Sequence, residues 1–285
     1  MTTGGYTLLT PPRPQQKLVH IHAGAEELGR VYAADLLLQS SVACAAAALA
    51  ALDAPAAVPW ADWSAAAQSD YQANGVATPV APLDMAEVVK TVQRLAPGNT
   101  VYTNGAGNFR GWLHRFVRYA GLQHHGRTQL APTSGAMGYG LPAAVGAALL
   151  HPERCVVNLA GDGDFLMNGQ ELATAVAYGA NRGAGRLVSL VVDNGSFGTI
   201  RMHQEREYPG RVSGSDLHNP DFAALARAYG WRAARVERTR DFEAAFGEAM
   251  RDGPPMLIHL KLDTDVITSR GTLSAITEAA RRAGR

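Results

Sequence analysis

Two stretches of the chain carry oxygen-bearing side chains directly after apolar runs. The first reads Leu159-Ala160-Gly161-Asp162-Gly163-Asp164, and the second reads Val191-Val192-Asp193-Asn194-Gly195-Ser196-Phe197-Gly198. A carboxylate from Asp162, an amide oxygen from Asn194 and a backbone carbonyl after Asn194 make an oxygen-only donor set, which is the kind that Mg²⁺ prefers. The glycines let the backbone approach a diphosphate and offer N–H donors to it. The two motifs together predict a metal–diphosphate site.

Each motif alone has a simpler explanation, because Gly and Asp are common in turns and Asn-Gly is a turn signal as well. The context favours the metal site. Each motif follows a predominantly apolar stretch, and one predicted helix lies between them. If both apolar stretches are strands of one parallel sheet, both motifs emerge at the same edge of that sheet, where such folds bind ligands.

A regular alternation of helices and strands, which begins near Pro82, would position these motifs. The hydrophobic pattern predicts strands at 100–104, 155–161, 187–194 and 256–262. It predicts helices at 85–95, 108–119, 136–150, 168–178, 220–229 and 241–252. Asp84 is predicted to cap the first of these helices, and Asn168 and Glu171 have the spacing of a capping box. The alternation predicts an α/β fold with a doubly wound parallel sheet.

The beginning of the chain is organised differently. Residues 17–23 have the alternation of a short strand, a helical turn is predicted at 26–30, and 40–52 read as a helix of small residues. This piece is too small to bury a core alone, so residues 1–52 are predicted to be the remnant of a second α/β domain. Residues 53–82 are predicted to be a linker, and residues 83–285 the main domain with a C-terminal tail.

Composition excludes several classes of function. The chain has 285 residues, of which 47% are hydrophobic, and a net charge of +1, so no basic field gathers nucleic acid or an anionic membrane. The longest apolar stretch, Val42 to Leu52, is shorter than the roughly 18 residues of a membrane-spanning helix. We find no signal-peptide pattern, and Cys44 and Cys155 make neither a metal-binding pair nor a disulfide framework. A cytoplasmic protein is expected, without nucleic-acid or membrane partners.

The two motifs also resemble the signature of thiamine diphosphate enzymes, in which GDG is followed by a helix and then by a strand that ends in Asn. Upstream, residues 132–144 (PTSGAMGYGLPAA) closely resemble the matching segment of acetolactate synthases and related 2-keto acid enzymes. Residues 17–52 resemble the end of the middle domain of those enzymes. The resemblance covers about residues 17–275, which is nearly the whole chain.

The resemblance implies thiamine diphosphate and Mg²⁺ as cofactors and a small 2-keto acid as substrate. It implies that the metal is ligated by the side chains of Asp162 and Asn194 and by the backbone carbonyl of Ser196. The Gly135 carbonyl would accept a hydrogen bond from the cofactor's amino group. Met137 would bend the cofactor into its reactive conformer, with plain core packing as the alternative for this residue. The implied cofactor-binding residues are Gly107, Asn108, Phe109, Gly135, Met137, Gly161, Asp162, Gly163, Asp164, Asn194, Ser196, Phe197 and Gly198.

The chain departs from the family pattern at several positions. Asp193-Asn194 stands where the family usually has two asparagines, and residues 181–186 look like an insertion. His203 replaces a Trp that shapes the acceptor pocket of acetolactate synthases, so formation of acetolactate itself is not expected. His203 is predicted to be a catalytic or substrate-contacting residue, with an exposed surface histidine as the alternative. His124 and His125 are further candidates for substrate contact.

Members of this family begin with a pyrimidine-binding domain whose glutamate starts the reaction, and Glu26 and Glu27 match no such motif. The chain is therefore expected to hold half of an active site and to work with a separate pyrimidine-domain subunit, in a hetero-oligomer such as a dimer of heterodimers. The expected reaction is decarboxylation or carboligation of 2-keto acids. A lyase of acyl-CoA or aromatic 2-keto acids and a non-catalytic cofactor-binding subunit are the alternatives. Residues 265–276 are interpreted either as a lid with a hinge at Gly271 or as a disordered terminus.

Overall fold

The structure, a computed structural model, describes residues 9–77, 79–119 and 128–284. It divides into two units, Met1–Gln68 and Ser69–Arg285. The limits predicted for the remnant, the linker and the main domain stay predictions.

The first unit contains two short strands and a helix. Strand β1 (Val19–His22) pairs in parallel with β2 (Leu36–Gln39), and a turn of 3-10 helix (Ala25–Glu27) lies between them. Helix α1 (Val42–Ala50) begins after Ser41, whose hydroxyl accepts a hydrogen bond from the amide of Cys44 at 3.2 Å. The predicted strand and helix of this region are confirmed, whereas β2 was not predicted. Leucines 36, 37 and 38 are 48%, 46% and 41% exposed, so this unit has little core of its own.

Helix α2 (Ala61–Asn74) contains the boundary between the units and lies inside the stretch predicted to be a linker. Its alanines are good helix formers, which is why an exposed segment between prolines is helical here. Tyr71 lies in the second unit, and its ring faces the guanidinium of Arg118 at 4.6 Å.

The second unit is built on a six-stranded parallel sheet with the strand order β4-β3-β5-β6-β8-β7. The strands are β3 (Val101–Asn104), β4 (Gln129–Leu130), β5 (Val156–Gly161), β6 (Leu187–Asp193), β7 (Arg232–Val236) and β8 (Met256–Lys261). All residues of β5 and β6 are buried, as expected for strands that are covered on both faces.

Helices cover both faces of this sheet. Successive residues of a strand point to opposite faces, so Val157 and Leu159 of β5 pack into one core cluster and Val156 and Ala160 into the other. The fold is therefore the predicted α/β fold with a doubly wound parallel sheet. The helices are α3 (Met85–Leu95), α4 (Arg110–Phe116), α5 (Gly140–Leu150), α6 (Asp162–Asn168), α7 (Glu171–Tyr178), α8 (Gly198–Glu207), α9 (Phe222–Ala228) and α10 (Thr239–Ala249).

Two expectations about the helices meet different outcomes. Asp84 caps α3 as predicted, because its carboxylate accepts from the amides of Ala86 at 2.8 Å and Glu87 at 3.4 Å. The prediction of a capping box formed by Asn168 and Glu171 is wrong. Helix α7 begins after Gln170 without a side-chain cap, and the Asn168 amide instead donates to the carbonyl of Gly138 at 3.0 Å.

The end of the described chain is regular. Strands β9 (Val266–Thr268) and β10 (Gly271–Thr272) form a short antiparallel hairpin, and α11 (Leu273–Arg282) follows. The interpretation of 265–276 as a disordered terminus is therefore not supported. Across the parts of the chain that the structure describes, no helix has the length and apolarity needed to cross a membrane.

Candidate active site

The two chemical motifs meet at the carboxyl edge of the sheet. Strands β5 and β6 are neighbours, and Gly161 at the end of β5 stands opposite Val192 near the end of β6. From β3 the chain moves outward to β4, and from β5 it moves the opposite way to β6, so a switch point lies between β3 and β5. Ligands of doubly wound sheets bind at such switch points. The loops after β3, β5 and β6 therefore surround one binding position.

A cavity of about 890 Å³ opens at this position. Every residue predicted from the resemblance to bind the cofactor lines it, from Gly107 to Gly198. Sequence reasoning missed several other lining residues, which come from the first two turns of α4 and α8 and from the β9–β10 hairpin. These include His114, Thr199, Met202, Ile267, Thr268 and Arg270.

Asp162 occupies the first position of α6 and is buried. Its Oδ1 accepts from the amide of Gly163 at 2.9 Å, and its Oδ2 accepts from the amide of Gly195 at 2.9 Å and from the Asn219 side chain at 2.8 Å. Burial raises the pKa of Asp162, and the charge of Asp193 raises it further, against the lowering effect of these donors. A cation beside the carboxylate would offset the cost of burying this charge.

Asn194 follows β6 and has a fixed orientation. Its Nδ2 donates to the carbonyl of Val266 at 3.4 Å, and its Oδ1 accepts from the amide of Ser196 at 3.3 Å. Asn194 and Ser196 thus belong to one tight turn, and both residues line the cavity. This turn ties the predicted metal loop to the β9–β10 hairpin.

Two aromatic rings lie directly on the glycines of the first motif. A Cβ at Gly163 would come within 2.5 Å of the ring of Phe197, and a Cβ at Gly161 within 2.7 Å of the ring of Phe109. Any larger residue at either position would displace a ring. The glycines therefore let the rings of Phe109 and Phe197 pack directly against the backbone of this motif at the cavity.

Asp164 acts within the protein. Its Oδ1 accepts from the amides of Gly138 at 2.9 Å and Ala106 at 3.1 Å, and the side chain is 3% exposed. Burial raises the pKa of Asp164 to about 6, although both backbone donors lower it. The carboxylate joins the loop after β3 to the turn that holds Met137 and so organises this wall of the cavity, while its role beside a diphosphate stays a prediction.

Gly135 and Gly138 bracket Met137 in a turn that requires left-handed backbone. Their φ angles are +70° and +78°, a region that residues with a Cβ rarely adopt. A Cβ at Gly138 would also lie 2.7 Å from the Cβ of Met167. Met137 stays 38% exposed and lines the cavity with Gly135. This exposure argues against plain core packing as the reason for a methionine here.

His203 does not line the cavity. It is exposed, and its Nδ1 accepts from the guanidinium of Arg206 on the same helix. The structure therefore gives no geometric support to His203 as a catalytic residue. His124 and His125 lie outside the described residues.

His114 is the histidine of the described chain that lines the cavity. Its Nε2 lies 3.1 Å from Oδ1 of Asn104, and burial, followed by the charge of Arg110, lowers its pKa. Nothing in the spacing of the motifs indicates this residue, because it comes from the second turn of a short helix.

The described residues fit a magnesium–diphosphate group. Asp162 and Asn194 offer a carboxylate and an amide oxygen beside a turn with further backbone oxygens, and hard oxygen donors suit Mg²⁺. Gly198 also lines the cavity beside this turn, where a backbone without a side chain lets phosphate oxygens approach closely. In residues 9–77, 79–119 and 128–284, no three His, Cys, Asp or Glu side chains gather to hold a metal, so a metal here would depend on amide and carbonyl oxygens as well.

Comparison with known proteins identifies the family of this domain. Residues 105–260 match the family described as thiamine pyrophosphate enzyme, C-terminal TPP binding domain. The chain is 29% identical over 268 residues to the probable acetolactate synthase large subunit of Methanocaldococcus jannaschii, which covers 88% of this chain and 43% of that protein.

Two further acetolactate synthases are similar to this chain over a comparable share of their length. Acetolactate synthase isozyme 2 large subunit of Escherichia coli K12 is 33% identical over 180 residues, 62% of this chain and 31% of the relative. An acetolactate synthase of Mycobacterium avium is 29% identical over 286 residues, 94% of this chain and 45% of the relative. The chain thus spans less than half the length of these relatives. By its matched region, its sheet and its cavity, the chain belongs to the thiamine pyrophosphate enzyme family and corresponds to the C-terminal TPP-binding half of acetolactate synthase-like members.

Proposed function

We propose that this chain is the diphosphate- and Mg²⁺-binding part of a thiamine diphosphate-dependent enzyme that decarboxylates or carboligates 2-keto acids. The observation that carries the proposal is the convergence of the loops after β3, β5 and β6 on one cavity that all the predicted cofactor residues line. The relatives are named acetolactate synthases, which supports a 2-keto acid as the substrate class.

In this proposal Asp162, Asn194 and the carbonyl of Ser196 hold the metal. The backbone of Gly163 and Gly198 and the ring of Phe197 line the diphosphate, and Asn108 closes the opposite wall. Two contacts hold Asn108 in place for this role. Its backbone amide donates to the Thr199 hydroxyl at 3.0 Å, and its side-chain nitrogen lies 3.5 Å from the sulfur of Met202.

The cofactor, when bound, supplies a stabilised carbanion and an electron sink for decarboxylation. The residues of this chain bind and orient it. The Gly135 carbonyl accepts from its amino group, and Met137 holds its rings in the reactive conformer. The rigid Asp164 clamp on Gly138 supports this turn, since a reactive geometry requires groups held within a fraction of an ångström.

A separate pyrimidine-domain polypeptide completes the site in this proposal. Met137, Tyr139, Leu166 and Met167 are 37–47% exposed and lie around the turn at Gly138. Clustered exposed apolar side chains of this kind are typical of protein interfaces. A partner that covers them would close the cavity and give a hetero-oligomer such as a dimer of heterodimers.

Cofactor binding by the Asp162→Ala variant tests the proposal. Thiamine diphosphate is titrated against the chain with and without Mg²⁺, by calorimetry and by tryptophan fluorescence, to which Trp112 contributes from the cavity lining. Wild type is expected to bind only with Mg²⁺, and D162A is expected to lose binding at least a hundredfold. D241A, which removes an exposed aspartate outside the cavity, is the control and should bind like wild type. Binding by D162A equal to wild type would contradict the metal site.

Partner dependence needs a second experiment. The chain is assayed for decarboxylation of pyruvate and aromatic 2-keto acids, and for cleavage of 2-hydroxyacyl-CoA, alone and with the polypeptide that co-purifies with it. Turnover is expected only in the mixture, because in this proposal the partner supplies the acid on the pyrimidine side. Full turnover by the purified chain alone would refute the split arrangement. Cofactor binding without turnover of any substrate in the mixture would favour the non-catalytic alternative.

A further inference from the structure

Asn219 lies directly behind the predicted metal loop, one residue before the proline that leads into α9. Its Nδ2 is 2.8 Å from Oδ2 of Asp162 and 2.8 Å from Oδ1 of Asp193. An amide NH₂ has two protons, so it donates one to each carboxylate. Asp221, two residues later, caps α9 by accepting from the amides of Ala223 at 2.9 Å and Ala224 at 3.0 Å, which fixes this segment of backbone.

The orientation of the Asn219 amide is determined by its surroundings. A flipped amide would set its oxygen against two carboxylate oxygens, so the nitrogen must face them. In this orientation Oδ1 is buried and meets no donor among the described residues. A buried acceptor without a donor costs stability, and packing alone gives no reason to keep it. The two carboxylates are therefore the reason for an asparagine here.

The second carboxylate of this bridge is itself anchored. Asp193 accepts from His259 at 2.8 Å and from Lys261 at 3.0 Å, and both donors lie on the adjacent strand β8. The amide of Gly195 adds a parallel bridge, because it lies 2.9 Å from Oδ2 of Asp162 and 3.0 Å from Oδ1 of Asp193. Asn219 thus joins the Asp162 carboxylate to a second carboxylate that β8 anchors.

We propose that Asn219 is a positioning residue of the metal site, which fixes the Asp162 carboxylate for Mg²⁺ by tying it to the anchored carboxylate of Asp193. The inference rests on the proposed function. Mg²⁺ demands nearly ideal octahedral geometry, whereas Ca²⁺ accepts longer and irregular bonds. Loss of the bridge therefore weakens Mg²⁺ more than Ca²⁺.

The test measures how much metal supports thiamine diphosphate binding. At fixed cofactor, the Mg²⁺ and Ca²⁺ concentrations that give half-maximal binding are determined for wild type and N219A of the whole chain. We expect the Mg²⁺ midpoint of N219A to rise at least tenfold and the Ca²⁺ midpoint to rise less, so that the ratio of the two shifts toward Ca²⁺. A residue that only supports folding would lower the unfolding midpoint without moving this ratio.

Asn181→Ala is the matched control. Asn181 also bridges two segments, since its Oδ1 accepts from the amide of Leu187 at 2.8 Å and its Nδ2 donates to the carbonyl of Gly253, but it does not line the cavity. N181A is expected to be destabilised with metal midpoints within twofold of wild type. If N219A does not fold, N219S, which keeps one donor, carries the test with an intermediate rise in the Mg²⁺ midpoint.

The outcomes separate this inference from the function on which it rests. Folded N219A or N219S with wild-type Mg²⁺ and Ca²⁺ midpoints would overturn the positioning role and leave the proposed function intact. If wild type binds thiamine diphosphate with metal and D162A does not, the function holds whatever N219A does. If wild type shows no metal-dependent binding, both the function and the positioning role are overturned.

Discussion

His259 donates from Nε2 to Oδ2 of Asp193 at 2.8 Å, across neighbouring strands of the sheet, and both side chains are 3% exposed. Lys261, two residues further along β8, lies 3.0 Å from the other carboxylate oxygen. Burial raises the pKa of Asp193, but hydrogen bonds from His259, Lys261 and Asn219 outweigh it and hold the pKa below its usual range. Side chains from β8 therefore compensate the negative charge of Asp193.

Replacing Asp193 by Asn should destabilise the fold. An amide nitrogen cannot accept, so the carboxamide leaves at least one buried donor of this group without an acceptor, at a cost of about 1–3 kcal/mol. Folding lowers the pKa of Asp193. The difference in unfolding free energy between wild type and D193N should therefore be largest above the usual Asp pKa of about 3.9, and it should shrink as pH falls through the lower pKa of the folded state. Urea unfolding of wild type and D193N at several pH values measures this. Equal free energies of unfolding at neutral pH would show that the acid is not needed.

Asp164 should tolerate an amide but not an alanine. Both backbone donors, the amides of Gly138 and Ala106, reach the same oxygen, Oδ1. The oxygen of D164N can take that position, so we expect a loss of under about 1.5 kcal/mol. D164A leaves two buried N–H groups without an acceptor and should cost roughly 2–5 kcal/mol. Denaturant unfolding compares the two, and an equal loss in both variants would contradict the clamp.

Gly138→Ala should cost more than Gly214→Ala. Both glycines have positive φ, +78° and +65°, but a Cβ meets Met167 at 2.7 Å in the first case and nothing within 4 Å in the second. G214A therefore measures the backbone strain alone, about 1 kcal/mol. G138A should lose about 1–3 kcal/mol more, because side chains must move, and it should also weaken cofactor binding by displacing Met137. Similar unfolding midpoints for the two variants would argue against a tightly packed turn.

The two cysteines should react at very different rates. Cys44 is exposed, whereas Cys155 is buried and its burial raises the thiol pKa to about 11. At pH 8 about one Cys155 side chain in a thousand would be a thiolate, and reagents could not reach it. A chromogenic thiol reagent should label only Cys44 in the folded chain, and Cys155 as well once the chain is unfolded in guanidinium. Rapid labelling of both in the folded chain would mean that β5 opens readily.

The strands and the two motifs could be predicted from the sequence because the sheet is buried on both faces. Residues 156–161 and 187–193 are predominantly apolar stretches rich in β-branched residues, interrupted only by Asn158 and Ser189 before their ends, and such stretches between helices favour buried strands. Edge strand β7 was missed, since Arg232 and Arg235 alternate with small residues and give no apolar run. Helix α6 was missed because Asp162, Gly163 and Asp164 favour turns, and only their burial at the sheet edge makes them helical.

The walls of the cavity were harder to predict than its floor. The residues at the bottom of the cavity directly follow strand ends, which the sequence pattern identifies. Ile267 and Arg270, in contrast, come from a hairpin more than seventy residues after Asn194, and no local pattern links this hairpin to the strand ends. His203 was predicted from the resemblance, but its pairing with Arg206 is a local contact that leaves it in solvent. The role of Asn219 could not be predicted from the sequence, because an asparagine before Pro-Asp is typical of an ordinary helix start. Its two partners, Asp162 and Asp193, are distant in the sequence.

The pairing of Asp193 with Lys261 has a consequence for how the site fills. Of the neighbouring acids Asp162 and Asp193, Asp193 already has a cationic partner in Lys261. Of this pair, a divalent ion that binds here therefore meets only the uncompensated negative charge of Asp162. Half of its charge would remain unbalanced on the protein alone. Loading should therefore be cooperative: the ion and its anionic companion each bind weakly in isolation and tightly as a pair, so that saturation by one depends on the concentration of the other.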